Sequence, residues 1–149
     1  MKNALTVQQL QQIDLAKGIL VVPMTRNGKP HSLPITPMMR EILERRCLGL
    51  AGNAVLFKGV SAEHVHSMAI RLGAPKFMLH DLRKLAATVG EKLGLCDAVL
   101  RRILNHTAPK TDVLQRHYVG LGDSDVSGAL VAIQENLKQL LECASSIGV

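Results

Sequence analysis

A chain of 149 residues, 47% of them hydrophobic, carries 18 Lys and Arg against 12 Asp and Glu, a formal charge of +6. That length fits one globular domain with a real core and requires no second one, while the basic balance and a pI near 9.6 favour an anionic partner. The same inventory argues against a membrane span, a secretory leader and a cysteine framework: no stretch is long and apolar enough for the first two, and Cys47, Cys96 and Cys143 are far apart and odd in number. The cysteines read as reduced core residues of a cytosolic protein. Aromatic residues make up only 2% and Trp is absent, so the core must come from Leu, Val, Ile, Ala and Met, which suits an α+β, mostly α fold.

In chain order, residues 1 to 17 are polar and rich in Gln. Gly18 to Pro23 and His31 to Ile35 are short apolar or β-branched runs around Thr25-Arg26-Asn27-Gly28-Lys29-Pro30, and the Asn-Gly pair predicts a β-hairpin. Thr36 followed by Pro37 reads as an N-cap with Pro at the first helical position. It opens a helix expected to turn Met38, Ile42, Leu43, Cys47 and Leu50 inward and to end at Gly49 and Gly52. Ala54 to Phe57 reads as a short extended piece. Ser61 then caps a helix whose buried side is expected at Val65, Met68, Ala69 and Leu72, until Gly73-Ala74-Pro75 breaks it. His64 and His66 alternate rather than share a helical face, so they read as surface residues and not as metal ligands.

His80-Asp81-Leu82-Arg83 comes next, and residues three apart on a helix share a face, so His80 and Arg83 would project together. An apolar stripe follows at Leu82, Leu85, Ala86, Val89 and Leu93, then Gly94 and a second stripe at Val99, Leu100, Ile103 and Leu104, ending in Asn105-His106. Farther on stands Tyr118, the one tyrosine of the chain. After a Gly-Leu-Gly-Asp-Ser turn, a last helix carries Val126, Leu130, Ile133, Leu137, Leu140 and Ala144 on one stripe. No internal repeat, low-complexity tract or dividing linker interrupts residues 1–149.

The runs HDLRKLAAT and LRRILNHTAPKTDVLQRHYV resemble the C-terminal catalytic half of a tyrosine recombinase, the bacteriophage-integrase type. In that family a histidine and an arginine three residues on open a helix, a second histidine follows a leucine and a small residue, and a nucleophilic tyrosine comes roughly ten residues later. These positions fall on His80, Arg83, His106 and Tyr118. Ile13-Asp14 and GILVVPMTRNGKPHSLPI are similar to the family's β-hairpin, and the segment matching Leu5 to Leu15 is there the end of a helix plus a turn. The likeness spans residues about 5 to 142. It implies a single, partial catalytic domain of the DNA breaking-rejoining type, mostly helical with a small β-hairpin or sheet near its N-terminus.

What the resemblance implies for chemistry is site-specific DNA integration through a 3′-phosphotyrosyl bond. Tyr118 would attack the phosphodiester, and because a phenol is mostly protonated at neutral pH, His80 would take its proton. Arg83 and His106 would donate to the non-bridging oxygens of the pentavalent transition state. The family's leaving-group acid is a hairpin lysine, but here Thr25 is followed by Arg26, a poor acid, so Lys29 across the turn is the nearest substitute. The phosphotyrosyl ester conserves the energy of the broken bond, so no cofactor or metal is implied, and no P-loop or metal-ligand pattern is present. Arg26, Lys29, Lys84, Arg101 and Arg102 are candidate contacts to double-stranded DNA, although a solvated helix face is the better account of Arg101 and Arg102. The last helix, which packs or docks on a neighbouring copy, would support self-association on DNA, and the location implied is cytoplasmic, at the nucleoid of a bacterium or phage-infected cell.

Two other readings stand beside this one. The helices Leu79 to Leu93 and Asp97 to Leu104, joined by Gly94-Leu95-Cys96, resemble a helix-turn-helix, which makes the chain a DNA-binding module without chemistry. The family's first catalytic arginine has no counterpart before Leu5, so an inactive or truncated integrase remnant is the third.

Overall fold

Thr36 is the pivot of the first part of the fold. Its hydroxyl accepts from the Met39 backbone N–H at 3.3 Å, Pro37 supplies the preset φ of a first helical residue, and α1 runs Pro37–Cys47 as the sequence predicts. The structure is a computed structural model describing residues 12–23, 25, 28–51, 54–58, 61–74, 76–106 and 121–147. It is a mostly helical α+β structure, with one three-stranded antiparallel sheet and five α-helices among the described residues. The chain falls into two units, Met1–Leu82 and Arg83–Val149.

In the first unit, β1 (Ile13–Asp14), β2 (Ile19–Val22) and β3 (His31–Pro34) lie in the order β1-β2-β3. Ile13 faces Leu20, and Leu20 faces Leu33, so one register carries the apolar face across all three strands. The expected hairpin is therefore present, with Gly28 in the left-handed region and its N–H bonded to the Thr25 carbonyl. Ile13-Asp14, likened to the family's β-hairpin, is an edge strand, and most of the end of a helix plus a turn expected over Leu5 to Leu15 lies outside the described residues. The strand ends for a local reason: the Asp14 carboxylate accepts from the Lys17 N–H at 2.8 Å, and left-handed Gly18 turns the chain back antiparallel. That backbone N–H, with lesser help from the Lys17 ammonium at 3.3 Å, holds the Asp14 carboxyl below the usual carboxylate range. The contact therefore persists above the ordinary carboxylate pKa and is lost as pH falls through the depressed one. A carboxyl-detected NMR titration should place the Asp14 midpoint below the ordinary range of an aspartate side chain.

The first core joins Ile13, Ile35, Leu43 and Leu56, with Leu15, Leu20, Met39, Cys47 and Phe57 against it. The inward face of α1 is thus Met39-Leu43-Cys47, whereas Met38, Ile42 and Leu50, expected inside, are exposed. Periodicity finds an apolar stripe; it does not decide which edge the sheet covers. Left-handed Gly49 follows the helix end as expected. Because Thr36 is fully buried, Thr36→Ala removes a cap and opens a small void. It should cost about 1–2 kcal/mol, read as a lower urea midpoint with unchanged slope.

α2 (Ala62–Arg71) opens on Ser61, whose Oγ accepts from the His64 N–H at 3.1 Å. It closes on left-handed Gly73, with Gly73 N–H to the Ile70 carbonyl and Ala74 N–H to that of Ala69, the paired bonds of a Schellman ending. Val65 and Ala69 are half-buried, but Met68 and Leu72, expected on the buried side, are exposed. Neither is among the described residues packed against the first core.

α3 (Leu79–Lys92) runs through the boundary between the units. In the second unit, Val89 of α3, Leu100 of α4 (Asp97–Ile103) and Ile133 of α5 (Asp123–Ile147) form the core, with Ala86, Leu95, Ile103 and Leu137 around it. Gly90 is buried against Leu100, whose side chain would collide with any Cβ there. Close approach at this glycine explains why α3 turns Val89, Gly90 and half-buried Ala86 to the core while Leu85 and Leu93, expected in the stripe, stay exposed. Leu82, the last residue of the first unit, is exposed too. On α5, Val126, Ala129 and Ile133 are buried, whereas Leu140 is 53% and Leu141 69% exposed. Cys96 and Cys143, read as core residues, are exposed free thiols, because one begins α4 and the other lies on the uncovered end of α5; Cys47 is half-buried and also free. Among the described residues no helix is long and apolar enough to cross a membrane.

Candidate functional site

The end of α4 is built by the three residues that close it. Asn105 takes a left-handed φ of 50°, its N–H bonds to the Arg102 carbonyl, and the His106 N–H bonds to that of Arg101 at 2.8 Å. These are the two bonds of a Schellman ending, with Asn in the place glycine usually fills, so His106 has its backbone pinned and its side chain exposed. Leu104 is the C-cap of α4, so its carbonyl is one of the acceptors that the helix itself does not satisfy. Arg83 satisfies it: a terminal nitrogen of its guanidinium donates to that oxygen, two residues before His106.

This arrangement has a clear electrostatic logic. The C-terminus of a helix carries partial negative charge that attracts a cation and repels an anion. Arg83 offsets that charge and, with one of its five N–H groups committed, keeps the others for a planar acceptor. Half-buried Arg83 thus reaches the helix end that exposed His106 follows by two residues, although twenty-odd residues separate Arg83 from Leu104 in sequence.

The remaining candidates fall as follows. His80 is exposed in the first turn of α3, in the first unit. Lys29, also in the first unit, is exposed at the hairpin turn, where its carbonyl accepts from the Thr25 hydroxyl at 2.8 Å. Lys84 is exposed on α3. Arg101 pairs with Asp97 one turn back at 2.7 Å, and Arg102 with Asp123 at the start of α5 at 2.6 Å, so both reach acidic partners within the second unit. Arg26 and Tyr118 lie outside the described residues. No cluster of His, Cys, Asp or Glu able to hold a metal ion occurs among the described residues.

One residue emerges only from the structure. His66, read as a surface residue, is half-buried: its Nδ1–H donates to the Phe77 carbonyl at 3.1 Å, and its ring meets that of Phe77 edge-on, with centroids 6.5 Å apart. His64 is exposed, as expected. No short-range pattern signals a contact made across the whole α2–α3 connection.

Comparison with family models, curated proteins and solved structures returns no match for this chain.

Proposed function

We propose that this chain is the catalytic part of a tyrosine-type site-specific DNA recombinase, with a domain of the DNA breaking-rejoining type. The observation that carries the reading is the seating of Arg83 on the α4 terminus beside His106. The order His, Arg, His, Tyr in the sequence raises the same pair independently.

In this reading the Tyr118 oxygen attacks the scissile phosphorus while His80 accepts the phenolic proton. The 5′-oxygen leaves as its bond to phosphorus breaks, taking a proton that Lys29, standing in for the family's hairpin lysine, would supply. Arg83 and His106 donate to the non-bridging oxygens, whose charge grows in the transition state. Double-stranded DNA is the partner, with Lys84 and, beyond their ion pairs, Arg101 and Arg102 as further phosphate contacts. The exposed Leu140 and Leu141 on α5 support self-association on DNA through that helix.

The test is a nicked suicide duplex, from which the cleaved fragment diffuses away and traps the covalent species. A protease-sensitive protein–DNA adduct, mapped by mass spectrometry to Tyr118, supports the reading. An adduct at another residue, or none at saturating DNA, removes it. DNA binding without an adduct favours the second reading, a binding module built on α3 and α4 and the left-handed turn at Gly94 between them.

A further inference from the structure

The start of α3 is tied down on both sides of His80. On one side, Phe77 is held to α2 by the His66 hydrogen bond at 3.1 Å and by the edge-on ring contact. On the other, the Asp81 carboxylate reaches back to the Met78 N–H at 2.8 Å, and the Asp81 N–H bonds to the Met78 carbonyl at 2.8 Å. Met78 stands immediately before the helix and Asp81 at its third position, so this is the returning half of a capping box. All five residues belong to the first unit.

The two ties serve different ends. The Asp81 contact is local and defines where the helix begins. The His66 contact ties the residue just ahead of this first turn to another element, α2. Because the acceptor is a carbonyl, the proton must sit on Nδ1. An apolar residue of similar size would keep the packing on Phe77 and lose the bond.

We propose that His66 is a positioning residue for His80: it anchors Phe77 so that the first turn of α3 presents the exposed imidazole in one orientation. This deepens the recombinase reading and rests on it. His66 itself touches neither DNA nor the reacting atoms. The side chain that can replace its donor is Asn, whose amide nitrogen sits where Nδ1 does; Gln carries its amide nearer the place of Nε2, and Leu offers no donor.

The experiment compares His66→Asn, His66→Gln and His66→Leu in the whole chain. Each is read for single-turnover cleavage of the suicide duplex at saturating DNA, for DNA affinity by fluorescence anisotropy, and for amide hydrogen exchange over residues 77–81. His66→Leu and His66→Gln should cleave on the order of 10- to 100-fold more slowly with unchanged affinity, the size of loss that misplacing a reacting group brings. His66→Asn should stay within about threefold of wild type, as a retained anchor leaves the reacting geometry in place. Exchange at residues 77–81 should quicken in the Leu and Gln proteins alone. Should the Leu protein fail to fold, the Asn and Gln pair at equal helix content decides the matter. Unchanged exchange in every variant overturns the anchor even if the wild-type protein never cleaves. Cleavage that falls equally in the Asn and Gln proteins, or that falls only with affinity, overturns the positioning role. A wild-type chain that forms no adduct removes the recombinase reading while leaving the exchange result to judge the anchor by itself.

Discussion

A Tyr118→Phe protein should form no covalent species with a suicide duplex that captures the wild-type chain, yet bind the same duplex with unchanged affinity. The expectation follows from what one oxygen atom does in the proposed reaction. The phenol is nucleophile and site of covalent attachment, so deleting its hydroxyl removes the bond itself and not only some stabilisation of it. The chain has no second tyrosine to take its place, and attachment through one of its six His would give a phosphohistidine, told apart by its acid lability. Affinity is set mainly by Lys and Arg on phosphates, which the substitution leaves intact. Measured with a denaturing gel for the adduct and a salt-controlled anisotropy titration for binding, the two readouts separate chemistry from recognition. A Phe protein that still becomes attached to DNA would take Tyr118 out of the reaction.

The parts of the fold legible in the sequence are those decided within a few residues. Asn27-Gly28 foretells the hairpin, Thr36-Pro37 and Ser61 foretell two helix starts, and Gly49, Gly73 and Gly94 mark ends where a left-handed residue is needed. Asn105 belongs with them, a non-glycine residue taking the same conformation. What the sequence blurs is which edge of an apolar stripe becomes interior. On α1 the choice falls on Met39 and Leu43 over Met38 and Ile42, and on α3 the small Ala86 and Gly90 lie inside while Leu85 stays out. Those choices belong to the partner surface, which no window along one helix contains.

The candidate site divides the same way. His80 and Arg83 are put on one helical face by spacing, and His106 is raised as a candidate by the resemblance. The Arg101–Asp97 pair is also readable, as an i, i+4 contact. The Arg102–Asp123 pair and the His66–Phe77 contact span loops and leave no periodic trace. Nor could spacing reveal that Arg83 closes the α4 terminus, a role that gives the residue a structural reason to exist beside its proposed chemical one.

Those two roles of Arg83 come apart in a pair of substitutions. Arg83→Ala deprives the Leu104 carbonyl of its charged donor and the helix end of its cation, which should cost about 1–3 kcal/mol in a denaturant titration. It should also slow cleavage by about 100- to 1,000-fold, the range for losing one donor to a developing oxyanion. Arg83→Lys keeps the positive charge and a donor able to reach the carbonyl, so its stability should stay within about 1 kcal/mol of wild type. Its ammonium is a point donor and cannot hold two phosphate oxygens in one plane while also holding the helix end. Cleavage by the Lys protein should therefore remain far below wild type although the fold is restored. If Lys restores both, Arg83 acts only as the cap of α4, and the guanidinium has no part in the chemistry. If Lys restores stability alone, the fork that remains free beyond the Leu104 carbonyl is what the phosphate requires.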